Sequence, residues 1–227
     1  MTSHLMAALE EQIAETELEV EYSYFIQLSQ EQLNAITEKY GNAKKKVFSE
    51  SKLSYNENLG IAGRIRHYHQ PEGSKFELTS KQRGNEAKAK LESNIELDQM
   101  NYNMLLASAK STVVRTRLYI PVLKTDGNTI PRKDGTPLMW ELDLYIDGRN
   151  LTEGGTPIHP WAKLEMEVDK ATLESVTEYI PFEYEELIPA DTQEVTERAL
   201  IDSLYTSDYD VRGKFREESL ATIVDYS

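Results

Sequence analysis

The chain has 227 residues, 28% charged and 39% apolar, with no cysteine and a formal net charge of −14. That length supports one substantial core, the missing cysteines exclude disulfides and thiolate metal sites, and no apolar run approaches the roughly 18 residues that span a bilayer. Residues 171–227 hold 14 acids and 4 bases, hence −10 of the total, and so acidic an exterior disfavours nonspecific binding to duplex nucleic acid.

Met1-Thr2-Ser3-His4 has neither the basic nor the apolar region of a secretory signal, so a cytoplasmic protein is expected. Leu5, Met6, Leu9 and Ile13 follow helical spacing and predict a short helix over 5–14. Strand alternation runs over 17–26. Ser29-Gln30-Glu31-Gln32 reads as a capping box opening a helix over 29–40 that Gly41 closes. Strands are predicted over 45–55, 61–69 and 75–83, the last two joined by the turn Pro71-Glu72-Gly73-Ser74. Residues 85–109, rich in Ala, Leu, Glu and Lys, predict a long helix. Strands return over 111–124, 137–147 and 161–169, with Asp126-Gly127-Asn128, Asp134-Gly135 and Gly154-Gly155 in their connections. The acidic tail reads as helices over 171–178 and 192–205, broken around Pro181 and Pro189.

The predicted strands, about seven, carry charged doublets at the strand period. Arg64-Ile65-Arg66 and Arg115-Thr116-Arg117 are basic, and Lys81 and Arg83 repeat the spacing. Glu19-Val20-Glu21, Glu141-Leu142-Asp143 and Glu165-Met166-Glu167 are acidic. A spacing of two puts both charges of a doublet on one face and the intervening apolar residues on the other. The expected architecture packs the apolar face on helices and gathers the charged face inward. Arginines placed against the prevailing acidic charge suit a polyanion, because the planar guanidinium binds phosphate oxygens bidentately. Carboxylates collected across the same cavity suit Mg2+ or Mn2+. Lys44-Lys45-Lys46 reads as a solvated loop, with phosphate capture at the mouth of the cavity as the alternative, and His67-Tyr68-His69 lacks zinc-ligand spacing. There is neither a phosphate-binding glycine loop nor a dinucleotide fingerprint.

These motifs, in this order, resemble the CYTH superfamily of triphosphate tunnel metalloenzymes, which includes inorganic triphosphatases, thiamine triphosphatase, class IV adenylyl cyclases and fungal RNA triphosphatases. Glu19-Val20-Glu21-Tyr22-Ser23 is similar to the opening Glu-x-Glu-x-Lys, Arg64-Ile65-Arg66 to the Arg-x-Arg, and Leu78-Thr79-Ser80-Lys81 to the Leu-Thr-x-Lys strand. Arg115-Thr116-Arg117 resembles the later basic strand, Trp140-Glu141-Leu142-Asp143 the acidic strand after it, and Glu165-Met166-Glu167 the closing Glu-x-Glu. The match covers about residues 17–169.

The resemblance implies an α+β fold: a closed antiparallel β-barrel with a charged interior, the triphosphate tunnel, covered outside by helices. Residues 1–170 would be the tunnel domain and 171–227 an acidic helical extension packed on it. It further implies metal-dependent hydrolysis of a triphosphate-bearing small molecule, with Mg2+ or Mn2+ as cofactor and no membrane partner. Arg64, Arg66, Lys81, Arg83, Arg115 and Arg117 would hold phosphates. Glu19, Glu21, Glu141, Asp143, Glu165 and Glu167 would bind metal, with Glu19 and Glu21 also catalytic. A class IV cyclase and a non-catalytic binder of nucleotide or polyphosphate are the alternatives. The chain departs from the family at Ser23, where a lysine is expected; Lys163, at the inward parity of its strand, is the expected substitute and the third catalytic assignment.

Overall fold

A computed structural model of the chain describes residues 20–40, 45–53, 61–70, 73–83, 90–146, 158–168 and 176–190. In chain order these form β1 (Val20–Gln27), α1 (Gln30–Tyr40), β2 (Lys45–Lys52), β3 (Ile61–Gln70), β4 (Gly73–Arg83), β5 (Lys90–Leu97), α2 (Gln99–Ala107), β6 (Ser111–Pro121), β7 (Met139–Ile146), β8 (Ile158–Val168), a 3-10 turn (Val176–Tyr179) and β9 (Glu186–Pro189). The helices expected over 5–14 and 192–205 lie outside the described residues. No helix among the described residues is long and apolar enough to cross a membrane.

The strands build one antiparallel sheet in the order β5-β4-β3-β2-β6-β7-β8-β1-β9. The expected closed barrel is not formed: the sheet is open, with β5 and β9 as its edges among the described residues. The reason lies in the acidic tail. β9 takes the outer edge of β1 along Tyr24–Gln27, where a closing strand would have to bond. At four residues and ending in Pro189, which lacks an N–H, β9 offers β5 too few backbone groups to zip the sheet shut.

A second correction concerns 85–109. Its composition favours helix, yet Lys90–Leu97 is strand β5, paired to β4 from Phe76↔Leu97 to Arg83↔Lys90. Leu91, Ser93, Ile95 and Leu97 alternate with Glu92, Asn94 and Glu96, a period of two that fits a sheet edge better than a helix face. Helix α2 begins only after Asp98, whose carboxylate accepts from the Asn101 N–H at 2.7 Å. Strand β5 and tail strand β9 raise the count from about seven to nine.

The capping box at α1 forms as read. Ser29 Oγ accepts from the Gln32 N–H at 3.2 Å, and Gln32 Oε1 accepts from the Ser29 N–H at 2.8 Å. Leu33 and Ile36 carry α1 onto the apolar side of the sheet, against Ile26, Leu118, Ile120, Trp140, Leu142, Leu164 and Met166. Trp140 is fully buried, and its indole N–H donates to the Tyr179 carbonyl at 2.9 Å, fastening the 3-10 turn to the same core. Each such large side chain contributes roughly 1.5–3 kcal/mol. Further along the same face α2 covers β3 and β4, with Tyr102 packed on Phe76 at a centroid distance of 4.7 Å and edge-on to His67 at 5.9 Å. Both helices thus lie on one face, leaving the other to the charged side chains.

Candidate functional site

Strand register brings the doublets to one face. Arg117 lies opposite Asp143, and Arg115 opposite Tyr145. Asp143 in turn faces Lys163, and Glu141 faces Glu165. On the other side of β6, Arg115 faces Phe48, while Glu50 faces Arg66 across β2 and β3. Side chains directly opposite on an antiparallel pair stand about 4.5–5.5 Å apart at Cβ, so every one of these pairs is within reach.

Two ion clusters result. In the first, Glu50 Oε2 accepts from Arg66 Nε at 2.8 Å and Arg115 Nη2 at 2.7 Å, with Arg64 Nη1 at 3.6 Å. The Phe48 ring lies against three guanidiniums, with Arg66, Arg115 and Arg117 at 5.3, 4.8 and 5.8 Å from its centroid. Tyr68 donates to Glu77 at 3.2 Å, and Glu77 lies 3.9 Å from Arg66. In the second cluster, Arg117 pairs with Glu141, with Asp143 Oδ1 at 2.7 Å and with Glu165 Oε2 at 3.0 Å. Arg115 joins the two, donating to Asp143 Oδ2 at 2.6 Å as well as to Glu50. Arg115, Asp143 and Glu50 are buried, Asp143 completely.

These surroundings set the ionisation of the groups. Burial opposes the charge of Glu50, but Arg115, Arg66 and Arg64 outweigh it and hold its carboxyl well below the usual range. Burial likewise opposes Glu165, and Lys163, which pairs with it, and Arg117 depress its carboxyl strongly. Glu141 goes the other way. Burial raises it, and the nearby carboxylates Glu165, Asp143 and Glu167 add to the rise against Arg117. Burial pushes the Tyr145 phenol up to about 12 despite Arg115.

The expected site residues are thus brought together in part. Arg64, Arg66, Arg115, Arg117, Glu141, Asp143, Lys163 and Glu165 share the two clusters. Glu21 and Glu167 face each other at the end of the β1–β8 pair, both exposed. Glu167 is drawn toward the loop after β6, where Arg132 donates to its carbonyl at 2.8 Å and lies 3.6 Å from its carboxylate. Lys81 and Arg83 fall at the register positions of the charged face, two and four residues beyond Thr79, which faces Arg64. Glu19 lies outside the described residues. Ser23 faces Glu165, and its hydroxyl oxygen is buried without a hydrogen-bond partner among the described residues.

Sequence reasoning missed Phe48 and Glu50 because β2 carries a lone acid rather than a doublet. The available signal was parity: Lys46, Phe48, Glu50 and Lys52 alternate with Val47, Ser49 and Ser51.

The metal expectation meets a different arrangement. Among the described residues no group of three or more Asp, Glu or His side chains is placed to hold a metal ion. Three of the six acids expected to ligate one, Glu141, Asp143 and Glu165, surround the Arg117 guanidinium instead, and Glu165 is also paired with Lys163. As arranged, Glu141, Asp143 and Glu165 do not fit a divalent ion.

No family model and no curated protein matches the chain. Several solved structures do. One is an adenylyl cyclase candidate from Hippeastrum with a dominant triphosphatase activity. It superposes with a TM-score of 0.44 at 14% identity, over 80% of this chain and 95% of that one. A Bacillus halodurans adenylate cyclase candidate gives 0.44 at 16% identity, over 72% and 86%. A Pyrococcus horikoshii OT3 protein gives 0.40 at 17% identity, over 70% and 82%. At TM-scores of 0.40 to 0.44 these likenesses carry nothing about family or activity. The resemblance to the CYTH superfamily therefore rests on the order of the motifs in the chain.

Proposed function

We propose that the charged face binds the phosphate chain of a triphosphate-bearing small molecule and that the protein hydrolyses the chain it binds. The observation that carries the reading is the gathering of Arg64, Arg66, Arg115 and Arg117 on one largely buried face of a protein whose net charge is −14. Each guanidinium has five N–H donors in a fixed fork, so those engaged by carboxylates keep donors for phosphate oxygens. Lys163 adds an ammonium beside them. Burial strengthens each contact by lowering the local dielectric.

Hydrolysis rests on the motif resemblance. Glu19, Glu21, Glu141, Asp143, Glu165 and Glu167 are the acids it assigns to Mg2+ or Mn2+; of these, Glu141, Asp143 and Glu165 are engaged by Arg117, Arg115 and Lys163 and do not fit a metal as arranged. A second reading, a non-catalytic triphosphate binder, is favoured by Ser23 at the lysine position of the first motif and by the engagement of Glu141, Asp143 and Glu165 with cations.

A panel of inorganic and nucleoside triphosphates, assayed with Mg2+, with Mn2+ and in excess chelator, separates the readings. Phosphate release that the double variant Glu165→Gln, Glu167→Gln abolishes is the expected result, and the chelator arm decides whether a metal takes part. Pyrophosphate with a cyclic nucleotide would mark a class IV cyclase. Tight binding without turnover would establish the binder, and an absence of binding would overturn both.

A further inference from the structure

Glu50 has no role in the reading above, yet it sits at the centre of the basic half of the site. A single carboxylate oxygen lies 2.7 Å from Arg115, 2.8 Å from Arg66 and 3.6 Å from Arg64, three of the four guanidiniums assigned to phosphate. The carboxylate is almost completely buried. Phe48, two residues earlier on the same face of β2, backs Arg66, Arg115 and Arg117 with its ring. Guanidiniums gathered this closely repel one another, and the repulsion grows as water is excluded. A carboxylate oxygen and a phosphate oxygen offer a guanidinium the same thing, an anionic acceptor at about 2.7–2.9 Å. Depression of the Glu50 carboxyl well below its usual range keeps it charged whenever the arginines surround it.

We propose that Glu50 is a resident counter-ion, an internal stand-in for a phosphate group that stabilises the arginine cluster in the absence of ligand and competes with a polyanion on its arrival. The inference rests on the triphosphate-binding reading and extends it to what sets the affinity. Binding strength is then the difference between what the arginines gain from phosphate and what they lose from Glu50. Phe48 limits how far they swing during that exchange. An ordinary structural ion pair would stabilise the free and the ligand-bound protein alike. A resident counter-ion stabilises the free protein more.

The test is thermal unfolding and calorimetric titration of the full chain with inorganic tripolyphosphate, comparing wild type, Glu50→Gln and Glu50→Asp. Glu50→Gln is expected to melt lower than wild type when free. Its melting temperature should rise more on adding tripolyphosphate, and its Kd should be about ten-fold tighter, the scale of one like-charge repulsion at a partly buried site. Glu50→Asp keeps the charge and should respond as wild type does. A ligand-induced rise in Glu50→Gln equal to or smaller than that of wild type overturns the inference. If Glu50→Gln does not fold in dilute buffer, folding on addition of tripolyphosphate supports the inference, and failure to fold there overturns it. The wild-type arm tests the underlying reading separately. A response in Glu50→Gln without one in wild type supports the counter-ion role and shows that Glu50 masks the arginines in the wild-type protein; no response in either overturns the reading and the inference together.

Discussion

The two halves of the charged face are built on opposite plans. Around β2 and β3 one carboxylate, Glu50, sits among three guanidiniums; around β7 and β8 one guanidinium, Arg117, sits among the carboxylates of Glu141, Asp143 and Glu165. Each half has an ion of the minority sign at its centre, Glu50 in one and Arg117 in the other, with Glu77 and Lys163 at the margins. That ion lets like charges crowd together without an external partner, because its attraction offsets both their repulsion and part of the desolvation cost. The difference lies in what each half offers a ligand. The Glu50 half holds an excess of cation and suits an anion; the Arg117 half has its cation already in place. Arg115 is held by both, so the halves are coupled.

The largest expected effect comes from breaking that coupling. Arg115→Ala leaves buried Glu50 and fully buried Asp143 each short of a partner. Removing one partner of a buried ion pair typically costs about 3–5 kcal/mol, so urea unfolding at neutral pH should show a loss of that size. A loss below about 1 kcal/mol would mean that the two clusters do not depend on each other.

Acid should separate the carboxylates next. Glu50 and Glu165 have folded values below the ordinary 4.5. Their stabilisation is therefore present above that pH and is lost as pH falls through their folded values. Glu141, raised above 4.5, has the opposite sign: as pH rises from there through its folded value it loses the proton that the folded state favours, and stability declines. The urea midpoint measured against pH should fall on the acid side in wild type. Glu165→Gln should flatten that fall, and Glu141→Gln should remove the opposing decline just above 4.5. Parallel curves for wild type and Glu165→Gln would mean that Glu165 titrates alike in both states.

The smallest effect concerns Lys163 at the acidic end. Lys163→Ala should weaken tripolyphosphate binding about ten-fold, or 1.4 kcal/mol. Exposed Lys45, where Lys45→Ala removes a charge of the same sign, should leave binding unchanged. Equal affinities for the two variants would restrict the ligand to the Glu50 half.

Much of this was legible from spacing. Doublets two residues apart define a face wherever the chain is extended, so Arg64, Arg66, Arg115, Arg117, Glu141, Asp143 and Glu165 were found before any partner was known. Glu50 was not, since a lone acid on a strand looks like a solvated one until the strands beside it are identified. Strand β5 was hidden by helix-favouring composition; pairing with β4 supplied backbone hydrogen bonds that local propensity does not anticipate.

The sequence by itself determined which residues share a face and where helix α1 begins, because strand parity and a capping box depend on the backbone within a few residues. Only the tertiary structure decided which charges are neighbours, that Glu141, Asp143 and Glu165 surround Arg117, and that β9 occupies the edge a closed barrel needs. Those outcomes follow from the order and register in which strands far apart in the chain pair, and register is set by packing the whole apolar face at once rather than by any segment alone.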